Sequence, residues 1–317
     1  MDGKPLILLP IVLGPTGSGK SELAIKIAQA FGGEIVNCDS LQLYRGYNIG
    51  TAKVPADLRQ GIPHHLIDIL DPTELFTAGQ YARVAREALA EIAGRGRVPI
   101  VVGGTGFYLR ALLQGLFAGP SRDESIRTRL QDREHTRPGS LHRILSRLDP
   151  AAGARIHPND KNKTIRALEV RLLEGKPITA LFENGRNPLS GFDPIKLGLD
   201  PARNHLYERI NARTVKMFQR GLVDEVRQLL ATGVPANAKP FESLGYKQAL
   251  QVAQGFLTEQ QALESTQLET RQYAKRQLTW FRRETEVHWL HGFGEDARIQ
   301  DDALAVVTEA SGMQRHL

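Results

Sequence analysis

Eight residues near the start, Gly14-Pro15-Thr16-Gly17-Ser18-Gly19-Lys20-Ser21, restrict the fold of this chain more than any other stretch. Two glycines with four residues between them, then Lys and Ser, form the phosphate-loop (ATP-binding) pattern. An apolar run at 11–13 precedes it and an amphipathic pattern at 21–31 follows, the strand–loop–helix setting that such a loop requires. Glycines let backbone N–H groups turn toward phosphate oxygens, and the helix N-terminus adds partial positive charge. Lys20 is suited to neutralise a terminal phosphate, and the Ser21 hydroxyl to ligate Mg²⁺. The pattern predicts a diphosphate-bearing ligand and leaves open whether that ligand is a nucleotide.

Short apolar, β-branched runs recur at 11–13, 34–36, 66–69, 99–102 and 195–199, and helical patterns such as 21–31 and 78–92 separate most of them. Strands alternating with helices predict an α/β fold: a phosphate-loop NTPase-like parallel sheet flanked by helices. Residues 120–193 read differently. Strand-like runs nearly vanish there, and Leu141, Ile144, Leu145 and Leu148 fall at helical spacing. The expected organisation is a catalytic core from 1–119 and 194–317, with an all-helical insertion domain at 120–193. Further helices are expected at 203–220, 223–231 and 258–286, while the residues after Gly292 carry no usable pattern.

Composition narrows the class. With 41% hydrophobic and 24% charged residues among 317, usage is that of an ordinary globular protein. No apolar run nears the roughly 20 residues that a membrane-spanning helix needs. Residues 6–13 end in the glycine loop and read as buried strand rather than secretion signal. The single cysteine, Cys38, excludes an internal disulfide framework and a cysteine zinc site, and suits a reducing, cytoplasmic setting. A net charge of +6, from 41 basic and 35 acidic residues, hints at a polyanionic partner.

A phosphate-loop NTPase usually adds a strand ending in Asp that helps to hold the metal. Here the run at 99–102 leads into Gly103-Gly104-Thr105-Gly106, without a carboxylate. The run at 34–36 leads instead into Asp39-Ser40-Leu41-Gln42-Leu43-Tyr44. Beyond the carboxyl end of a parallel strand, Asp39 is suited to serve as hydrogen-bond acceptor or general base. Capping the following turn is its plainer role. A small-molecule kinase is one reading of these features, and a non-catalytic nucleic-acid-binding module is another.

More blocks follow in order. They are Ile49-Gly50-Thr51-Ala52-Lys53, Pro63-His64-His65-Leu66-Ile67-Asp68, Val102-Gly103-Gly104-Thr105-Gly106-Phe107-Tyr108, and His157-Pro158-Asn159-Asp160 with Ile165-Arg166-Ala167-Leu168-Glu169-Val170. The last is Thr270-Arg271-Gln272-Tyr273-Ala274-Lys275-Arg276-Gln277-Leu278-Thr279-Trp280-Phe281-Arg282. This ordered set resembles the tRNA dimethylallyltransferase family, and the likeness runs to about Trp289. It implies transfer of a dimethylallyl (isopentenyl) group from dimethylallyl diphosphate to the exocyclic amine of the adenosine 3′-adjacent to the tRNA anticodon. The missing Asp is then accounted for, because the family's glycine loop holds the donor's diphosphate. Mg²⁺ as cofactor, the tRNA anticodon stem-loop as partner and a monomeric state are implied as well. A smaller relative prenylates free adenine nucleotides; the helical insertion and basic C-terminal helix favour a polymeric acceptor.

By the same resemblance, Asp39 takes the amine proton, Thr105 helps to place the leaving oxygen and the base, and Arg213 reaches the diphosphate. Asp39, Ser40, Leu41, Gln42 and Thr105 would meet the target adenosine, which has to leave the loop stack. Arg127, Asn162-Lys163-Thr164-Ile165-Arg166, Glu242-Ser243-Leu244-Gly245-Tyr246-Lys247 and the stretch from Lys275 through Arg282 would meet the RNA. Between 270 and 283 stand Arg271, Lys275, Arg276, Arg282 and Arg283 with no acid, and Tyr273, Gln277 and Trp280 recur at helical spacing beside them. Cations meet phosphates, and planar groups meet unstacked bases. One position departs from the family pattern Asp-x-x-Arg-x-x-Arg: after Asp160 the chain has Lys163, then Arg166. Lys163 keeps the charge but lacks the planar fork. His64, His65 and Asp68 lack a further ligand in sequence and read as structural. Cys38 should face away from Asp39 by strand alternation and read as packing.

Overall fold

Successive apolar positions suit a strand covered on both faces, and β1 (Ile7–Leu13) is buried at every position but its first. The computed structural model describes residues 6–117, 119–183 and 185–314. The chain divides into two compact units, Met1–Leu113 with Leu189–Leu317, and Gln114–Pro188.

The first unit is built on one six-stranded sheet. Its strands are β1, β2 (Gly33–Asn37), β3 (His64–His65), β4 (Val98–Gly103), β5 (Phe192–Leu199) and β6 (Val287–Leu290). They stand in the order β3-β2-β4-β1-β5-β6, and each neighbouring pair is parallel. α1 (Lys20–Phe31) follows β1. α2 (Ala78–Gly94) opens on a Thr77–Gln80 capping box and packs on β2 and β4. α3 (Gly106–Gln114) leaves β4.

The second unit is helical: α4 (Glu124–Thr136), α5 (Ser140–Leu148), α6 (Pro150–Arg155), α7 (Lys161–Glu174) and α8 (Ile178–Glu183). Asp123, Asp149 and Asp160 cap α4, α6 and α7 through their side chains. Leu141, Leu145, Ile165, Leu168 and Leu181 share its core. The unit occupies 114–188 rather than the expected 120–193. Phe192 and Asp193 pair with Ile7 and Leu8 and so belong to the sheet, while Phe117 and Arg186 form an isolated bridge inside the helical unit.

The chain then returns to the first unit as α9 (Arg203–Gln219), α10 (Leu222–Ala231), α11 (Tyr246–Ala253), α12 (Glu259–Phe281) and α13 (Ala297–Gln314). Leu23 and Ile27 of α1 and Ala303 and Val307 of α13 share one core with Ile35, Ile100, Leu197 and Leu199 of the sheet. Burying each Leu or Ile is worth about 1.5–3 kcal/mol, so this core anchors the loop between β1 and α1.

Three elements differ from expectation. Residues 66–69 form no strand: the pairing of this segment with β2 stops at His64 and His65, and Leu66 and Asp68 take φ +59° and +55°. The amides of Asp68 and Ile69 turn instead to the carbonyls of Gln42 and Leu43, bracing the segment that follows Asp39. α12 stops at Phe281, its last buried anchor, five residues short of 286, because the chain must turn to enter β6. The stretch after Gly292, which lacked a pattern, supplies α13.

Candidate active site

In the sheet β4 lies between β2 and β1, so the loops leaving their carboxyl ends converge. From β1 comes the glycine loop. Gly17 and Gly19 both take φ +83°, where a Cβ is strained, and Gly19 is the N-cap of α1. The Ser18 hydroxyl and the Lys20 ammonium both donate to the Pro15 carbonyl, at 2.9 and 2.8 Å. Burial pushes Lys20 down to about 8; Asp39 opposes the shift and Arg213 adds to it. Arg213, from α9, donates to the Thr16 hydroxyl at 2.5 Å. Its Nε is buried without a hydrogen-bond partner among the described residues, and burial, then Arg209, lower its pKa. Two desolvated cations beside a helix N-terminus, Lys20 lowered in part by Arg213 and Arg213 in part by Arg209, are the electrostatics of an anion site.

From β2 comes Asp39. One carboxylate oxygen accepts the Leu41 amide at 2.9 Å, so Asp39 does cap its turn. The Asn37 carboxamide fixes the backbone there, accepting the Asp39 amide at 3.1 Å and donating to the Leu66 carbonyl at 2.9 Å. From β4 comes Thr105, whose hydroxyl accepts the Ser40 amide at 3.1 Å while its own amide donates to the Cys38 carbonyl at 3.2 Å. Cys38 is 2% exposed, with its thiol pushed up to about 12 by burial, and is packing. Gln42 donates to the Thr51 carbonyl at 3.1 Å. His65 and Arg95 bind Glu34, both at 2.7 Å, and His64 meets the Ile62 carbonyl, which is a structural arrangement.

Two cavities meet at Asp39. The smaller, about 200 Å³, includes Lys20, Ser21, Glu22 and Arg209. The larger, about 550 Å³, is walled by Phe76, Tyr108, Ser243, Leu244, Tyr273 and Arg276. Thr16, Asp39, Thr51 and Arg213 line both. The arrangement can hold an anion on one side of a carboxylate and a planar group on the other.

Outside this centre, exposure sorts the sequence candidates. Lys275, Arg276, Thr279 and Arg282 are exposed on or just after α12, as are Glu242 and Lys247. Gly245, Tyr246, Gln277 and Phe281 are buried in the first unit, Gly245 against the larger cavity, while Ser243, Leu244, Leu278 and Trp280 are partly covered. The Arg110 guanidinium lies 4.5 Å from the Trp280 ring. In the helical unit, Asn162 and Lys163 are exposed on the first turn of α7, whereas Thr164 and Ile165 point into its core. Lys163 pairs with Asp160 at 2.5 Å. Arg127 and Arg166 share one buried carboxylate, Glu169, at 3.1 and 2.7 Å.

Sequence reasoning passed over Arg209, Phe293 and Glu295. Arg209 pairs with Glu295 and stacks on Phe293 at 4.8 Å, and the Gly294 amide donates to the Ser18 carbonyl at 2.9 Å. Arg209 lies four residues before Arg213, on one helix face, and that spacing was its only signal. Nothing local marks Glu295.

A parallel sheet whose converging loops set a cationic glycine loop beside Asp39, with Thr105 bonded to the next residue, Ser40, defines an α/β protein with an anion-suited site at the carboxyl ends of its strands. Residues 42–284 match the family described as IPP transferase, and the chain belongs to that family. It is 59% identical over 304 residues to the tRNA dimethylallyltransferase of Solibacter usitatus, covering 96% of this chain and 99% of that one. Its identity to the tRNA dimethylallyltransferase of Koribacter versatilis is 56% over 301 residues, covering 95% and 98%. Among solved structures, the tRNA isopentenylpyrophosphate transferase of Bacillus halodurans matches with TM-score 0.70 and 36% identity, covering 99% of this chain and 100% of that one. A eukaryotic dimethylallyltransferase acting on tRNA matches with TM-score 0.78 and 29% identity, covering 96% and 77%.

Proposed function

We propose that this enzyme transfers a dimethylallyl group from dimethylallyl diphosphate to the exocyclic amine of the adenosine 3′-adjacent to the anticodon in tRNA, releasing diphosphate. The observation that carries the reading is the pair of cavities joined at Asp39, one cationic and glycine-walled, the other aromatic. The donor's diphosphate sits in the smaller cavity, against Lys20, Arg213 and the amides of the glycine loop. Those groups stabilise the charge that grows on the departing oxygens. The adenine, drawn out of the loop stack, enters the larger one. Its amine nitrogen bonds to C1 of the prenyl group as the C1–O bond breaks, and the amine proton passes to the Asp39 carboxylate. Thr105, bonded to Ser40, keeps the base loop beside the leaving group.

Mg²⁺ fits this site. Ser21 opens into the small cavity beside Asp39 and Glu22, a hard oxygen set suited to a cation bound chiefly through diphosphate oxygens. When bound, the ion adds charge neutralisation at the leaving group. The exposed cations of α12 and α7 contact the anticodon stem-loop. No helix among the described residues is long and apolar enough to cross a membrane, and we take the enzyme to act as a cytoplasmic monomer. The test is labelled dimethylallyl diphosphate, unmodified tRNA and Mg²⁺, followed by nucleoside analysis. Label appears in adenosine alone; label elsewhere, or none, overturns the reading, and a phosphorylated product from ATP would establish a kinase instead.

A further inference from the structure

Gln277 points inward from α12 and joins two of the loops that form the site. Its Oε1 accepts the Thr16 amide at 2.8 Å, and its Nε2 donates to the Gly104 carbonyl at 2.9 Å. The residue is 6% exposed. A Cβ on Gly104 would come within 2.3 Å of that Nε2, so the carboxamide lies tight against the backbone. Each loop is bonded again on the side of the chemistry. The Thr16 hydroxyl receives Arg213, and Thr105, next after Gly104, receives the Ser40 amide.

We propose that Gln277 is a positioning residue for prenyl transfer: its carboxamide sets the spacing between the glycine loop and the Thr105 loop. The donor's leaving diphosphate is thereby aligned with Asp39 and Thr105. The inference rests on the function proposed above. It also moves Gln277 away from the RNA contacts among which the family likeness had grouped it, since both of its polar ends are used inside the protein.

A carboxamide offers a donor and an acceptor on one planar group, so it satisfies an amide on one loop and a carbonyl on the other together. Losing it would leave the buried Gly104 carbonyl and the part-buried Thr16 amide unpaired and free the loops to drift apart. A misplacement of about 1 Å at reacting atoms costs on the order of a hundredfold in rate. The outer face of the same helix carries Lys275, Arg276 and Thr279, exposed to solvent. RNA binding and loop spacing therefore fall on opposite faces of α12, and a substitution can separate them.

The experiment compares the unsubstituted 317-residue protein with Gln277→Met, which keeps the volume without either bond, and Gln277→Glu, which keeps the acceptor for the Thr16 amide but not the donor. Gly104→Ala is the third variant; it displaces the carboxamide without removing it, and it serves if the Gln277 variants fail to fold. Steady-state kinetics use dimethylallyl diphosphate, Mg²⁺ and an unmodified anticodon stem-loop RNA. In Gln277→Met and Gly104→Ala, kcat should fall on the order of ten- to a hundredfold, with KM for RNA within about twofold of the parent. Gln277→Glu should fall between Gln277→Met and the parent. A raised KM for RNA with kcat preserved would make Gln277 an RNA contact and overturn the proposal. So would an unchanged kcat in every folded variant. Absence of prenyl transfer by the unsubstituted protein would strike at the function itself, which separates the two failures.

Discussion

Lys20 and Asp39 line the same small cavity with opposite charge, and each makes a separable claim on the chemistry. Lys20 in the free protein stands at about 8, below its ordinary 10.5, because burial penalises its charge. An anion in the loop favours the charged form and raises that value. Below pH about 8, then, Lys20 is already protonated and the diphosphate binds without proton uptake. Above it, binding must draw a proton from solution, and affinity falls by up to about tenfold per pH unit. Calorimetry of pyrophosphate binding with Mg²⁺ between about pH 7 and 9, in buffers of different ionisation enthalpy, reads that uptake directly; Lys20→Met should abolish it. A pH-independent affinity with no uptake would remove Lys20 from the diphosphate site. Asp39→Asn keeps an oxygen for the Leu41 amide but removes the proton acceptor. The expected result is a loss of about 10²–10⁴ in kcat with RNA affinity within about twofold, by single-turnover kinetics and fluorescence anisotropy. Retained turnover would reduce Asp39 to the turn cap that its 2.9 Å bond to Leu41 also describes. The glycine loop and the Asp39 carboxylate stand out in the chain because their chemistry is written in neighbouring residues, whereas Thr105 was singled out by the family likeness alone. Gln277 was legible as a motif member yet not as an inward-facing bridge, and Glu295 was not legible, since its partner Arg209 is remote in sequence.

α7 shows how one sequence motif divides between solvent and core. Its Asp160 caps the helix, which puts Asn162 and Lys163 on an exposed first turn and turns Thr164 and Ile165 into the core. Helical periodicity alone decides that division. One turn on, the buried Glu169 binds Arg127 of α4, Arg166 of its own helix and the Asp123 amide at 2.8 Å, holding both guanidinium groups in one cluster. Glu169→Ala leaves the largely buried Arg127 and the partly covered Arg166 without their carboxylate, at a cost of about 3–5 kcal/mol. Denaturant unfolding should register that loss; a change under about 1 kcal/mol would mean that the arginines are held by other contacts. Lys163 is different, because its pair with Asp160 is exposed and such pairs are worth about 0–1 kcal/mol. Lys163→Arg should leave stability unaltered and tighten RNA binding by about two- to threefold through the planar fork. Weaker binding would show that the shorter ammonium is the better fit here. Elements whose sides are set by periodicity were readable in this way. Residues 66–69 were not, since an apolar run looks like a strand until two left-handed residues turn its amides toward Gln42 and Leu43. β6 pairs with β5, far away in sequence, and α12 accordingly ends earlier than its own pattern suggests.

The net charge of +6 is unevenly spent along the chain. Residues 120–200 hold 15 basic against 11 acidic residues, and 270–283 hold five against none. Lys275, Arg276, Arg282 and Arg283 stand exposed, whereas Lys20 and Arg213 are desolvated at the glycine loop. On the proposed function, two polyanions, one long and one small, would meet cations in different dielectric settings. Exposed cations on RNA release condensed counterions, so affinity falls as a power of salt. With about six phosphates engaged, the loss between roughly 50 and 200 mM salt is on the order of a thousandfold. The enclosed diphosphate feels less screening, because the Debye length governs charges separated by solvent and this pocket is small and walled by protein. Its affinity should change only a few-fold over the same range. Parallel titrations of anticodon stem-loop RNA and of pyrophosphate with Mg²⁺ against salt give two slopes. A steep slope for RNA beside a shallow one for pyrophosphate is expected, and Arg276→Ala should flatten the first without moving the second. Equal slopes would mean that both ligands bind in one solvent-screened field, and the division of charge between an outer RNA face and an inner diphosphate site would fail.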